Sequence, residues 1–254
     1  MPRPTACGAA DGPAAADTPP GRCLALAQEY GISARLTFSN SLLREEHLTD
    51  PKCNALCAQF AQGSVQNGVI VHSDRLADYL QEHYPELYLV SSTTKVLTEF
   101  AQLEAETARP EFRYVVPDFR LNKAFAQLDS LPQPQKDKLE FLCNECCWFG
   151  CTDRRRCYEN VSRRNLASSA RSTAARPPVR RKATAFPKQC GTPALSEWRT
   201  SAAPTCHGLF AVQDRGPGLG SALVLEFLLY YLTKPEHQLQ VREEIYLDNM
   251  LDLF

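Results

Sequence analysis

Hydrophobic and polar positions alternate in blocks from about Gly31 to Cys157. Five short runs rich in β-branched, aromatic and leucine residues predict strands at 34–38, 68–71, 87–90, 112–116 and 139–142. Between them apolar residues recur at helical spacing, as in 54–62 with Leu56 and Phe60, and in 75–84 with Leu76, Tyr79 and Leu80. Strands that are almost continuously apolar, each followed by an amphipathic helix, predict a parallel α/β sheet covered by helices. No glycine-rich phosphate loop follows the first strand, so parallel βα repeats of a TIM-type barrel are expected rather than a dinucleotide fold. Five strands where such a barrel has eight make it incomplete. Beyond Pro235, Val241, Ile245, Leu247, Met250 and Leu251 recur at helical spacing, and 222–232 reads as the helix before it. These are expected to be C-terminal packing helices, over the core or against a partner protein.

In a parallel sheet the segments that follow the strands share one carboxyl-terminal edge, where barrels and doubly wound folds place their sites. Here those segments are Ser39-Asn40-Ser41, His72-Ser73-Asp74, Ser91-Ser92-Thr93-Thr94-Lys95, Pro117-Asp118-Phe119-Arg120 and Asn144-Glu145-Cys146-Cys147. Ser73 or Asp74, Thr94 and Asp118 suit helix caps. Capping does not account for Arg120, Glu145 or the cysteines. Arg120, Lys95 and Glu145 are therefore candidate anion-binding and acid/base groups facing the cavity, with Asn40, Ser92, Asp118 and Asn144 as polar substrate contacts.

Of the 11 cysteines, Cys143, Cys146, Cys147, Cys151 and Cys157 crowd into one segment. Thiols concentrated in this way suit a metal or iron-sulfur site in a reducing compartment better than a disulfide framework, so a cytoplasmic protein is expected. Cys146, Cys147, Cys151 and Cys157 are the candidate ligands. A redox or nucleophilic cysteine and inert packing remain open for the same residues. Arg154, Arg155 and Arg156 stand beside the thiols and would favour the thiolate. Residues 1–21 lack the apolar run of a signal peptide. The longest apolar stretch, 222–232, is interrupted by Glu226 and is shorter than the roughly 20 residues of a membrane span.

The strand-end motifs, the run Asn144-Glu145-x-Cys147-x3-Cys151 ahead of an arginine-rich helix, and the apolar C-terminal helix resemble the collagenase-like peptidase family of unassigned mechanism. The resemblance covers about 31–163 and 218–254. It implies a TIM-barrel core and, for several family members, a 4Fe-4S cluster on four cysteines. The family's activities include peptide-bond chemistry and the hydroxylation of RNA or of a ubiquinone precursor. No His-Glu-x-x-His zinc motif or Ser/His/Asp arrangement supports proteolysis. Two alternatives stand beside this enzyme reading: a non-catalytic protein whose cysteines take zinc, and a partly folded, inactive product.

The formal net charge is -1, from 28 basic and 29 acidic residues. That balance conceals a segment, 160–196, with eight basic residues and no acidic one, which leaves 20 basic against 29 acidic elsewhere. The family strand Phe-Lys-Ile-Glu-Gly-Arg is missing before the C-terminal helix, where the chain has Phe210-Ala211-Val212-Gln213-Asp214-Arg215-Gly216-Pro217. Codons for these residues can be chosen (TTC GCG GTT CAA GAT CGA GGG CCG) that, read one base later into Gly218, encode Ser-Arg-Phe-Lys-Ile-Glu-Gly-Arg. A frameshifted translation accounts for the Arg, Ala, Pro-rich composition more simply than a nucleic-acid-binding arm. The expected organisation is an unstructured or out-of-frame N-terminus at 1–22, a βα-barrel core with the cysteine cluster at 23–163, a disordered basic insert at 164–217, and C-terminal helices at 218–254.

Overall fold

The computed structural model describes residues 20–142, 144–145, 147, 150–171, 194–195, 211–213, 225–226, 229 and 233–251. After helix α1 (Pro20–Glu29) the chain alternates β1 (Arg35–Phe38), α2 (Pro51–Ala61), β2 (Gly68–Val71), α3 (Asp74–His83), β3 (Tyr88–Ser91), α4 (Phe100–Ala108) and β4 (Phe112–Val115). Two short helices, α5 (Phe125–Asp129) and α6 (Gln133–Lys136), lead to β5 (Glu140–Leu142) and β6 (Asn144–Glu145). Then come α7 (Arg154–Arg171), β7 (Ala194–Leu195), β8 (Ala211–Gln213) and α8 (Gln238–Leu251). The five predicted strands are all present, within a residue or so of the expected bounds.

Local chemistry sets several of these starts. Asp50 accepts from the backbone N–H of Lys52 and Cys53 at 3.0 and 2.9 Å, and Pro51 opens α2 with its φ already helical. Ser73 occupies the N-cap position of α3 without a side-chain bond, and Asp74 follows in the first turn. Ser92 and Asp118, rather than Thr94, cap the 3-10 turns that follow β3 and β4.

Strands β1 to β4 form one parallel sheet in chain order, with Arg35 opposite Gly68, Gly68 opposite Tyr88 and Ser91 opposite Val115. A parallel bridge from Val115 to Leu139 brings β5 alongside, and β5 pairs in parallel with β8. Each βα unit therefore adds its strand next to the last, the winding of a TIM-type barrel, instead of reversing direction as doubly wound sheets do. The chain is an α/β protein with a partial TIM-type barrel and a C-terminal helix. Of the stretch 164–217, the described residues are the end of α7, β7 and β8; the remainder, 1–19 and most of 222–232 lie outside the described residues.

Both faces of the sheet are covered. Val69, Val71, Leu89, Phe112 and Val115 pack with Leu76, Ala77 and Leu80 of α3 and Leu103 of α4 in the larger core. The alternate positions Ile70, Tyr88, Val90, Tyr114 and Val116 join Phe119, Leu142 and Cys147 in a second cluster on the other face. Gly68 is required there, because a Cβ at that position would collide with the Tyr88 ring.

A partly buried ion pair ties β1 to β5. Arg35 Nη1 lies 2.6 and 2.8 Å from the Glu140 carboxylate oxygens, and Arg35 Nε donates to the Tyr88 hydroxyl at 2.8 Å. In a flat sheet β1 and β5, four strand spacings apart, would be separated by about 19 Å, further than the two side chains reach together. The sheet must curl for them to meet, as a barrel wall does. Among the described residues no helix is long and apolar enough to cross a membrane.

Candidate functional site

The carboxyl-terminal edge is organised around Asp118, whose side chain is 0% exposed at the end of β4. Its Oδ1 accepts from the backbone N–H of Arg120 at 3.1 Å and from Arg120 Nε at 2.6 Å, and its Oδ2 accepts from Arg120 Nη2 at 3.0 Å. This closes a 3-10 turn and a bidentate ion pair on one carboxylate. A second guanidinium, that of Arg154 at the start of α7, is 1% exposed and places Nε 3.1 Å from Asp118 Oδ2. Arg154 Nη2 also donates to Thr93 Oγ1 at 3.3 Å, and its guanidinium stacks over the rings of Phe119 and Tyr158 at 4.9 and 5.1 Å.

Helix α7 buries one stripe, Arg154, Tyr158 and Ser162, at four-residue intervals against this edge. Ser162 Oγ bonds both the backbone N–H and the hydroxyl of Ser41 at 3.1 Å, and its carbonyl accepts from Asn40 Nδ2 at 3.2 Å. Asn40 is thus held between its own turn, where Oδ1 accepts from the Leu42 N–H at 2.8 Å, and α7.

The cysteine loop is tied to the same cluster. Arg120 Nη1 donates to the Cys151 carbonyl at 3.1 Å. Burial pushes the Cys157 thiol up, and the neighbouring Cys151 and Cys147 sulfurs and Asp153 add to the rise against an opposing pull from Arg156. Cys147, Cys151 and Cys157 therefore share one electrostatic neighbourhood. The expected thiolate-favouring effect of the arginines does not prevail at Cys157, because burial outweighs Arg156 and because the Arg154 guanidinium is engaged with Asp118 and Thr93. Among the described residues, no group of three or more His, Cys, Asp or Glu side chains is placed to hold a metal ion. Cys146 and the side chains of Asn144 and Glu145 lie outside the described residues; the backbone of the latter two forms β6, antiparallel to β7.

Asp118, Arg120 and Cys151 are thus brought together, and Ser92 lies in the adjoining turn. There the Ser92 hydroxyl accepts from the Thr94 N–H at 3.2 Å. That turn ends on Val96 at φ 54°, a left-handed conformation costly for a β-branched residue, held in place by burial. Lys95 is directed elsewhere. Its Nζ lies 2.5 Å from Glu106 and 3.1 Å from Asp74, over the Phe112 ring on the helix-covered side of the sheet. Burial alone would raise the Glu106 carboxyl, but hydrogen bonds from Lys95 and Ser91, with the charges of Lys95 and Arg109, hold it below the ordinary range.

Thr93, Arg154, Tyr158 and Ser162 were not among the sequence candidates for site residues. Only the four-residue spacing of Arg154, Tyr158 and Ser162 in a helix signals their common face. Adjoining this cluster through Asn40, a cavity of about 410 Å³ lies among the 41–50 loop, α2, α3 and α7, lined by Phe38, Asn40, Leu48, Cys57, Leu76 and Tyr79.

The fold and the edge cluster define an α/β partial barrel with a buried carboxylate-guanidinium centre beside three thiols. No protein-family model matches the chain, and no curated protein matches it. Among solved structures, the U32 peptidase Mk0906 is similar over 67% of this chain at 15% identity and a TM-score of 0.44. The match spans 65% of that chain, less than two thirds of its length.

Proposed function

We propose that the chain is an enzyme, or an accessory of one, of the collagenase-like peptidase superfamily, working in the cytoplasm with a 4Fe-4S cluster held by Cys146, Cys147, Cys151 and Cys157. The observation that carries this reading is the shared electrostatic neighbourhood of Cys147, Cys151 and Cys157, on a loop fastened by Arg120 to the carboxyl edge. The donor set fits such a group in kind: soft thiolates are its ligands. When bound, the cluster supplies one-electron redox chemistry.

The chain's own residues hold and orient. Asp118 fixes the guanidinium plane of Arg120, and Arg120 fixes the Cys151 carbonyl. Arg120 is 21% exposed where Asp118 is fully buried, so of this pair Arg120 is the group that an anionic portion of a substrate reaches. Glu145 is the proposed acid/base group, with Asn144, Asn40 and Ser92 as polar supports. The substrate class is a peptide, an RNA or a quinone precursor, and the chemistry is hydroxylation or peptide-bond chemistry.

Anaerobic purification with iron, sulfide and zinc determination tests the reading. About four irons per chain with broad absorbance near 400 nm supports it. One zinc in a colourless protein favours the non-catalytic alternative, and a chain that binds neither refutes the cluster. The same reading treats 164–217 as out of frame, which the gene decides: the nucleotides encoding 210–218, read one base later, must spell Ser-Arg-Phe-Lys-Ile-Glu-Gly-Arg.

A further inference from the structure

The cavity that adjoins Asn40 has an apolar floor and an acidic rim. Phe38 at the end of β1, Cys57 of α2, and Leu76 and Leu80 of α3 line the floor, and all four are buried. The polar side chains beside them are already paired. Asn54 donates through Nδ2 to the Leu48 and Asp50 carbonyls at 2.8 and 2.9 Å, and its Oδ1 accepts from the Tyr79 and Tyr84 hydroxyls, each at 2.9 Å. Those four bonds use the whole capacity of the amide. Asn40 is bonded to the Leu42 N–H and the Ser162 carbonyl. A floor whose polar groups are paired offers water little, whereas an apolar body gains contacts in a space of about 410 Å³, within the range of small-molecule pockets.

The more open positions of the lining are Glu46, Thr49, Asp50 and Pro51. Among the described residues that line the cavity there is no lysine or arginine. The neighbouring Arg44 and Lys52 are exposed and do not line it. Arg44 Nη1 lies 3.7 Å from Glu46 Oε1, an exposed pair of little strength. His47 is committed to its own turn, where Nδ1 accepts from the Arg44 N–H at 2.9 Å. Asp50 Oδ1 accepts from the N–H groups of Lys52 and Cys53 as the cap of α2, and a carboxylate has about four acceptor positions, so further donors can join. Two carboxylates therefore stand at the opening with no cation in the lining to balance them.

We propose that this cavity binds a small arylalkyl amine, its ring on the floor and its ammonium paired with Asp50 and supported by Glu46. The Phe38 and Tyr79 rings and the Cys57 sulfur suit an aromatic body, and the acidic rim selects a cationic head over an anionic one. Of the lining, only Asn165 and Leu166 come from beyond residue 163, so the floor and the rim stand on either reading of 164–217.

The test is isothermal titration calorimetry of the full-length chain with phenethylamine, phenethyl alcohol, hydrocinnamate and ethylamine. Leucine methyl signals are followed by NMR in parallel, those of Leu76 and Leu80 being assigned by Leu76→Met and Leu80→Met. Phenethylamine is expected to bind saturably and to shift the Leu76 and Leu80 methyls. Phenethyl alcohol, the same body without the charge, binds about tenfold more weakly, the loss of one charge-assisted bond. Hydrocinnamate, with the wrong charge, and ethylamine, without the ring, bind more weakly still. Asp50→Asn keeps a good helix cap, and combined with Glu46→Gln it brings phenethylamine down to the alcohol value while leaving the alcohol unchanged. Cys57→Phe fills the floor and abolishes binding; should it fail to fold, the combined Asp50→Asn and Glu46→Gln variant carries the test. The proposal is overturned by no saturable binding of phenethylamine, by shifts confined to other leucines, or by equal affinity for the amine and the alcohol. Tighter binding of hydrocinnamate, or unchanged amine affinity in the combined variant, overturns it equally. None of these readouts depends on iron or on the thiols at 147–157, so failure here is distinct from failure of the cluster reading.

Discussion

Replacing Arg35 with methionine removes one half of the ion pair that spans the curled sheet. Glu140 keeps its carboxylate at 6% exposure with no cation to meet it. Two unit charges at about 4 Å attract by about 4 kcal/mol at an effective dielectric of about 20, and both lose hydration on burial, so the pair's net worth is smaller. Deleting one partner costs more than that net worth, because a buried charge is left behind; for well-buried pairs the loss is about 3–5 kcal/mol. Arg35 is 24% exposed, which places the expected loss at the low end, about 3 kcal/mol. With a urea slope of about 2 kcal/mol per molar, the midpoint of unfolding falls by about 1.5 M at unchanged slope. Arg35→Met with Glu140→Gln removes the stranded charge and is expected to recover about half of the loss. A midpoint change below about 0.3 M in Arg35→Met, or strict additivity in the double variant, would refute the claim that this pair stabilises the contact of β1 with β5.

Four further outcomes follow. Asp118→Asn releases Arg120 and Arg154 from their shared carboxylate and is expected to destabilise by about 3 kcal/mol in urea unfolding, with faster proteolysis at the 147–151 loop. Gly68→Ala forces a methyl into the Tyr88 ring and is expected to cost about 1–3 kcal/mol, whereas alanine at exposed Gly31, with open space around it, costs through its φ of 64° alone. Stability falls with pH below neutrality: the depressed His72 gives full stability above its unfolded value of 6.5, lost as pH drops toward about 4 by up to about 3 kcal/mol, and the depressed Glu106 adds a loss in the same direction below its ordinary range; His72→Gln flattens the upper part of the profile measured by denaturant titration at each pH. Cys53 and Cys57, pushed up to about 12 mainly by burial, are expected to alkylate at pH 8 far more slowly than a free thiol, and labelling of Cys57 at the free-thiol rate in the folded chain contradicts its placement.

The strands were legible because their signal is local: 4-residue runs such as Gly68-Val69-Ile70-Val71 are apolar throughout, as a strand buried on both faces requires. The order of the sheet followed from the absence of any feature that reverses a βα repeat. The polar edge was legible only as a location. Lys95 follows β3 as Arg120 follows β4, yet its partner Glu106 lies on the next helix, and no spacing rule in the sequence announces that pairing. Arg154 stands in a run of three arginines that reads as a basic neighbourhood for the thiols; its place in the fold is decided by Asp118, far away in the chain. The imidazole of His72 likewise meets its hydrogen-bond partner, Thr94, 22 residues on. Spacing revealed which residues bear chemistry, and long-range partners decided which of them are committed to the fold.

The seating of α7 bears on the order in which the molecule assembles. Its contacts through Ser162 with Asn40 and Ser41 close sequence separations of 122 and 121 residues, whereas successive strands of the sheet meet across a few tens of residues. Loop closure over so long a span is favoured late, after the βα units have formed and brought the ends near. Interactions made after the rate-limiting step leave the folding rate unchanged and act on the escape rate. The helix that bears Arg154 therefore serves as a latch on an already folded sheet, and its serine contacts set how long the carboxyl edge stays assembled.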